Sequence, residues 1–388
     1  MRVAFFTESY HPVVSGVVVS VEAFVGALRQ CGAQVRIFTA RFPGYQDADP
    51  DVVRLPSLSL PTNPRFPLGF PCSRRAQREV AAWGAQVIHV HGPFLLGRLG
   101  ARIARRQGLP LVFTMHTRYQ LYAHYLPLPS WLVVPLAAGI SRRFANACNC
   151  VIAPSAGYAE QLRQEGITAR IEVVSTGLDL AALPPPDPKE RQHWGIPPQA
   201  RLLLYVGRVA VEKNVALMLG AFAALHRPDA WLLLVGGGPF QEQARRLAQQ
   251  LGVAERVIFA GFQPRERVFS CAAAADLFLF PSTTDTQGVV LLEAMSQGVP
   301  CVCTESPAIA GVVEQGRQGL VVKENEAAFT AAIDKLLADD STRAAMSKQA
   351  RLTAARYDIK YCAQRLLEIY QELIAAAHPQ EAPDGAGH

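Results

Sequence analysis

Short apolar runs alternate with helical patterns along almost the whole chain, and the alternation restarts once. Residues 2–7, 34–39, 86–91, 111–115 and 151–154 read as buried strands, with helical stretches at 17–30, 95–107 and 141–148. Strands separated by helices in this way form parallel sheets covered by helices on both faces. The Pro-rich run Ala181-Ala-Leu-Pro-Pro-Pro-Asp-Pro-Lys189, closed by Gly195-Ile-Pro-Pro-Gln199, interrupts the pattern and reads as a linker. Beyond it strands are expected at 202–206, 231–235, 257–259, 277–280 and 299–304. Helices are expected at 215–225, 241–251, 288–298, 326–337, 345–355 and 359–377, with a short one running through Ala273. Little is periodic between Arg41 and Pro71. The expectation is an α/β chain of two Rossmann-like, doubly wound parallel-sheet domains facing across a cleft, residues 1–180 and 195–358. Residues 378–388 are expected to form a disordered tail. Ligands of such sheets sit at the carboxyl ends of the strands.

Composition narrows the class. Half of the 388 residues are hydrophobic, without a low-complexity tract or repeat. No uninterrupted apolar run approaches the ~20 residues that span a bilayer, and Glu8 follows the first run too soon for a signal peptide. A cytoplasmic location is expected. Cys148 with Cys150 and Cys301 with Cys303 fall in strand-like runs, with no Cys-x-x-Cys pair, so they read as small buried hydrophobes. Residues 1–180 hold 18 arginines, no lysine and 10 carboxylates, a surplus of +8 against −2 in the remainder. That asymmetry fits an anionic partner such as a membrane surface, or a merely Arg-rich composition. No nucleic-acid partner is expected.

Candidate chemistry gathers at strand ends. Ser282-Thr-Thr-Asp-Thr-Gln-Gly-Val-Val-Leu-Leu-Glu-Ala-Met295 follows an apolar strand and Pro281, putting a polar loop ahead of a helix that starts near Gly288. A helix N-terminus after a strand offers unpaired N–H groups and partial positive charge, which suits a phosphate or a sugar hydroxyl. Asp285 and Glu293 bracket that position, although taken alone they read more readily as a helix-capping Asp and a buried-edge Glu. Arg208 and Lys213 fall in the loop after strand 202–206, where two cations would hold a diphosphate and stabilise it on departure. Gly236-Gly-Gly-Pro239 reads as a tight turn at least as readily as a ligand loop, and Gly261-Phe262 ends the next strand.

In the first domain, Gly16 at the first strand-to-helix turn would let backbone approach a phosphate closely. Glu8, Tyr10 and His11 stand where a second substrate would be contacted, although Tyr10 and His11 read equally as packing residues. His89 and His91 share one strand face with no third ligand at metal spacing, so a hydrogen-bonding role is expected for them. His116 ends strand 111–115 and is expected to face the cleft. Residues 120–141 carry no charge, are rich in aromatics and end in Arg142-Arg143. Pro127, Pro129 and Pro135 exclude a regular spanning helix there, leaving a membrane-interface segment or a buried interdomain loop.

Asp285, seven intervening residues and Glu293, in Thr-Asp-Thr-Gln-Gly-Val-Val-Leu-Leu-Glu-Ala, resemble the signature of the retaining GT-B glycosyltransferases of family 4, with Asp285 where most members carry Glu. Gly-Arg208-x-x-x-Glu-Lys213 resembles the donor-diphosphate motif of that family. His116-Thr-x-Tyr119, followed by His-Tyr-x-Pro127, is similar to its subgroup acting on diacylglycerol and related membrane lipids. The N-terminal Thr-Glu-Ser-Tyr-His-Pro-Val-Val-Ser-Gly-Val segment resembles that subgroup too. The resemblance runs from Val3 to about Tyr370. It implies a nucleotide-sugar donor held mainly by the second domain and an acceptor held by the first, with helix 359–377 crossing back to the first.

By that resemblance Glu293 would bond the ribose, while Asp285, Thr286, Gln287, Gly288 and Val289 would hold sugar hydroxyls and phosphate. Gly16, Arg208 and Lys213 would meet the diphosphate, and Gly237 and Phe262 would lie near nucleotide and base. His116 would contact the transferred sugar, with Glu8, Tyr10, His11 and Tyr119 toward the acceptor. The donor implied is UDP-glucose, with no metal and no further cofactor. Asp47-Ala-Asp49 spells the Asp-x-Asp of metal-dependent glycosyltransferases but lies in an irregular loop of another fold pattern, and is set aside. The acceptor implied is a lipid at the inner face of a membrane, touched through residues 120–143 and the basic first domain. The same transfer to a soluble sugar, sugar phosphate or small molecule is the alternative, and a non-catalytic nucleotide-sugar binder a third.

Overall fold

The structure, a computed structural model, describes residues 1–13, 15–60, 63–119, 121 and 129–377. The chain divides into two compact units. One comprises residues 1–154, 159–176 and the C-terminal segment from Ile359, and the other residues 155–158 and 177–358.

The first unit is built on strands β1 (Arg2–Thr7), β2 (Gln34–Ala40), β3 (Val52–Leu55), β4 (Ser57–Leu60), β5 (Asn63–Gly69), β6 (Val87–Val90), β7 (Leu111–Thr114), β8 (Cys150–Ala153) and β9 (Ile171–Val173). Its helices are α1 (Gly16–Gln30), α2 (Arg74–Trp83), α3 (Leu95–Gln107), α4 (Ser130–Ala145) and α5 (Ala156–Gln164), whose first turn groups with the second unit. Seven strands form a parallel sheet in the order β3-β2-β1-β6-β7-β8-β9, and β4 pairs antiparallel with β5. The strand order reverses between β1 and β6, where Val3 pairs with Val87. At such a reversal the loops diverge to opposite faces and leave room for a ligand.

The second unit contains α6 (Glu190–His193), β10 (Arg201–Val206), α7 (Val215–Ala224), β11 (Ala230–Val235), α8 (Gln241–Gln250), β12 (Val257–Gly261), α9 (Arg265–Ala274) and β13 (Leu277–Phe280). It continues with α10 (Val289–Ser296), β14 (Cys301–Thr304), β15 (Gly319–Val322), α11 (Glu326–Ala338) and α12 (Asp340–Ala354), and α13 (Ile359–Ala377) then packs in the first unit. Its parallel sheet runs β12-β11-β10-β13-β14-β15 and reverses between β10 and β13. Alternation along the strands builds both faces. Leu203, Tyr205, Leu277 and Leu279 enter one core with α7 and α11, while Leu202, Leu204, Phe278 and Phe280 enter the other with α10.

Several segments differ from the sequence-based expectation, among them helices α2 and α5, which were not expected. The stretch without period contains β3, β4 and β5: β3 and β4 are only four residues long, and the seven-residue β5 has its pattern interrupted by Pro64 and Pro67. Edge strands β9 and β15 escaped for the same reason as β3 and β4. Helix α4 begins at Ser130, well ahead of residue 141, and carries Pro135 in its second turn. There the missing N–H removes one bond, to the Trp131 carbonyl, and the helix continues. The Pro-rich run 181–189 has no buried residue, while the segment just after it is anchored: Glu190 and Ile196 are buried, and Arg191 bonds the Ala274 and Ala200 carbonyls and Asp276.

Candidate active site

At the sheet reversal of the second unit the loop after β10 meets the loop after β13. Lys213 Nζ lies 2.5 Å from Asp285 Oδ1, Thr284 Oγ1 donates to the Glu212 carbonyl at 3.0 Å, and Asn214 Nδ2 donates to the Pro281 carbonyl at 3.2 Å. Asn214 takes a positive φ of 54° to turn the chain into α7. Arg208 is anchored through its carbonyl, which accepts from Tyr205 Oη at 2.8 Å, and its guanidinium lies 3.5 Å from the nearly buried Glu212 carboxylate. Burial and the Asp285 and Glu212 charges push the Tyr205 phenol well above its ordinary value, so it stays a neutral donor.

The glycines after β11 fit one tight space. Gly236 sits at φ 124°, and a Cβ there would stand 2.0 Å from the Gly207 carbonyl oxygen; at Gly238 a Cβ would lie 2.3 Å from that of Val209. Backbone bonds fill that space: Gly207 N–H to Val235, Val209 N–H to Gly237 and Gly236 N–H to Gly261. The close approach joins the loops after β10, β11 and β12. Phe262, just beyond β12, is 76% exposed, with its ring edge 2.8 Å from where a Gly237 Cβ would stand.

Helix α10 starts at Val289 after Gly288, which has no side chain to cap it, so its first N–H groups are not closed by a side-chain cap, the arrangement in which a helix start can receive an anion. The Thr286 carbonyl accepts from Ser155 Oγ at 2.8 Å, a tether from far along the chain. Glu293 is buried in the second turn, with Arg265 Nη2 3.6 Å from Oε1. Burial pushes its carboxyl up to about 7 against the pull of Arg265. Arg208, Lys213, Asp285, Thr286, Gln287, Gly288, Val289, Glu293, Gly237 and Phe262 thus all fall on the carboxyl edge of one sheet.

In the first unit Glu8 follows β1, and its Oε1 accepts from the N–H groups of Leu96 at 2.7 Å and Gly97 at 3.3 Å, which begin α3. Burial raises its pKa, and those N–H groups oppose the shift. A Cβ on Gly92 would lie 3.2 Å from Glu8 Cγ and 3.7 Å from Tyr119 Oη, so these residues share one corner with His91. Tyr119 packs edge-on to Phe94 at 4.8 Å. His91 Nδ1 lies 2.9 Å from His116 Nε2. His89 joins Tyr370 Oη at 2.5 Å and Thr114 Oγ1 at 2.7 Å.

Other candidates lie apart from that corner. Tyr10 is buried among the α1 core residues beneath Arg54, and His11 pairs with Glu22 of α1. Gly16 opens α1 with open space where a Cβ would stand. Asp47 and Asp49 are engaged by Arg54 and Arg29. No group of three or more His, Cys, Asp or Glu able to hold a metal occurs among the described residues. Sequence reasoning left out Ser155, Arg265 and Tyr370, whose contacts are remote in sequence and carry no local signal, and Tyr205, which bonds the Arg208 carbonyl three residues on. Glu212 stood inside the basic motif, where a carboxylate between two cations was a usable sign.

Two doubly wound parallel-sheet units define the class, a GT-B fold. Residues 14–182 match the family model described as Glycosyltransferase Family 4, and residues 186–353 that described as Glycosyl transferases group 1. The chain belongs to glycosyltransferase family 4 and resembles its membrane-lipid subgroup. It is 28% identical over 327 residues to alpha-monoglucosyldiacylglycerol synthase of Streptococcus pneumoniae, covering 81% of this chain and 73% of that protein. It is 31% identical over 392 residues to D-inositol 3-phosphate glycosyltransferase of Nocardia farcinica, covering 93% and 85%. The structure of sucrose-phosphate synthase from Thermosynechococcus elongatus superposes with a TM-score of 0.80 at 22% identity, covering 97% of this chain and 99% of that one.

Proposed function

We propose that this chain is a retaining, metal-independent hexosyltransferase that moves glucose from UDP-glucose to a membrane lipid such as diacylglycerol. The observation that carries the donor half is the Lys213–Asp285 contact beside the uncapped start of α10. It puts a cation, a carboxylate and helix N–H groups on one strand-end edge. In this reading Lys213 and Arg208 neutralise the departing diphosphate, the task a metal performs elsewhere. Glu293 bonds the ribose hydroxyls, and Asp285 with the 286–289 backbone holds sugar hydroxyls and phosphate. His116 contacts the transferred sugar, with Glu8 and Tyr119 toward the acceptor. Retention follows from attack on the face the diphosphate leaves: the acceptor oxygen bonds to the anomeric carbon, the carbon–phosphate-oxygen bond breaks, and the departing phosphate takes the hydroxyl proton.

The lipid half is supported by α4. Trp131, at 78% exposure, stands with exposed Leu132, Val134 and Leu136 ahead of exposed Arg142 and Arg143, the pairing of apolar side chains and cations that suits an anionic membrane interface. No helix among the described residues is long and apolar enough to cross a membrane. Residues 120 and 122–128 of the expected contact segment lie outside the described residues. The relatives support two acceptors, since one is named for a diacylglycerol product and another for an inositol phosphate. Incubation with radiolabelled UDP-glucose and other labelled donors, over anionic vesicles containing diacylglycerol, separates them. Label in the chloroform phase is the expected result. Label confined to water with every donor, from protein that still binds nucleotide, would move the reading to a soluble acceptor.

A further inference from the structure

We propose that His91 is a positioning residue for His116, holding it as the tautomer that carries its proton on Nδ1. The role of His116 rests on the function proposed above; the geometry does not. His91 follows β6 and is 3% exposed. Its ring lies between those of His89, at 4.5 Å and 27°, and His116, at 5.2 Å and 21°, with the Phe5 ring tilted against it at 4.7 Å. The packing leaves it one useful polar contact, Nδ1 to His116 Nε2 at 2.9 Å. Its Nε2 is buried and has no hydrogen-bond partner among the described residues. His89 cannot supply one, because both its nitrogens are occupied by Tyr370 and Thr114.

The three imidazoles are neutral at pH 7, since burial pushes His89 down to about 3, His116 to about 4 and His91 well below its ordinary value. Each ring then carries one proton, and a 2.9 Å contact needs one donor and one acceptor. If His116 donated, the His91 proton would sit on Nε2 as a buried N–H without an acceptor. If His91 donates, Nε2 is left with only an unused lone pair. Buried orphan donors are rarer than under-used acceptors. His91 Nδ1–H therefore donates, His116 Nε2 accepts, and the one hydrogen His116 can offer a sugar hydroxyl is on Nδ1. The tautomer of a functional histidine is set by the bond its other nitrogen makes.

The test uses the full chain labelled with ¹⁵N-histidine, the His116 signals being assigned by their loss in His116→Gln. The expected spectrum shows His116 Nε2 as the bare nitrogen and Nδ1 as the protonated one. His91→Leu should lower kcat about 10- to 100-fold and shift the His116 signals toward Nε2 protonation, with the donor KM little changed. In His91→Asn the side-chain amide takes the place of Nδ1–H and should restore both the tautomer and most of kcat, which a merely structural loss would not allow. A protonated Nε2 on His116 in the unaltered protein overturns the proposal. So does a folded His91→Leu protein with unchanged His116 signals and kcat. Unchanged turnover in His116→Ala would instead overturn the sugar contact of His116, with the tautomer still read directly from the spectrum.

Discussion

At the scale of single residues the second unit concentrates opposing demands. Lys213 is largely buried and its charge is held by Asp285. Removing a positioned donor to a developing anion costs on the order of 100- to 1,000-fold in turnover. Lys213→Ala should therefore lose most activity while keeping its circular dichroism and melting profile, and wild-type turnover would sink the assignment. Glu293 presents the reverse case, a buried carboxyl raised to about 7. A folded-state pKa above the unfolded one means the native state binds the extra proton, so stability is lost as pH rises from about 4.3 through about 7. Glu293→Gln should raise the melting temperature of the donor-free protein at pH 8 and change it little near pH 4, while weakening nucleotide binding. A melting difference independent of pH would contradict the burial argument. Asp285 and Glu293 were legible as a spaced pair; the depth of Glu293 and the partnership of Asp285 with Lys213 were not, since neither follows from spacing.

At the scale of elements, close backbone approach does what side chains do elsewhere. Gly238 has the Val209 carbonyl where a Cβ would be, so Gly238→Ala must move the loops after β10 and β11 apart. Such strain costs about 1–3 kcal/mol, and the expected result is a lower melting temperature with weaker nucleotide binding by calorimetry. An unchanged affinity would show that this junction does not shape the donor edge. In the first unit Tyr370 of α13 ends its side chain on His89, under the β1–β6 reversal. Tyr370→Phe leaves a buried imidazole nitrogen without its partner, a loss of about 1–3 kcal/mol read by urea unfolding. Short apolar runs and helical patterns revealed most of these elements in advance. Strands β3, β4, β9 and β15 were invisible because three or four residues carry no period, β5 because Pro64 and Pro67 interrupt its pattern, and α4 was hidden by a proline that helix packing tolerates.

At the scale of the whole molecule, charge and apolar exposure fall in the same unit. Residues 1–180 carry the surplus of +8, and α4 displays Trp131, Leu132 and Leu136. Attraction to anionic lipid is worth about 1 kcal/mol per basic residue near the surface and is screened within about 3 Å at about 1 M salt. Cosedimentation with anionic vesicles should fall about tenfold or more in high salt, and Trp131→Ser with Leu136→Ser should remove most of the remainder. Binding indifferent to both changes would exclude this surface.

The sequence alone determined the two sheets, their parallel sense and the residues at the strand ends, because period and strand-to-helix order are local properties of the chain. It determined the family through motifs a few residues long. The tertiary structure alone decided which carboxylate holds Lys213, why three glycines stand together after β11, and that His91 bonds His116 while Tyr10 is buried. Those outcomes depend on groups separated by tens to hundreds of residues arriving within a few ångströms, and on the burial that results.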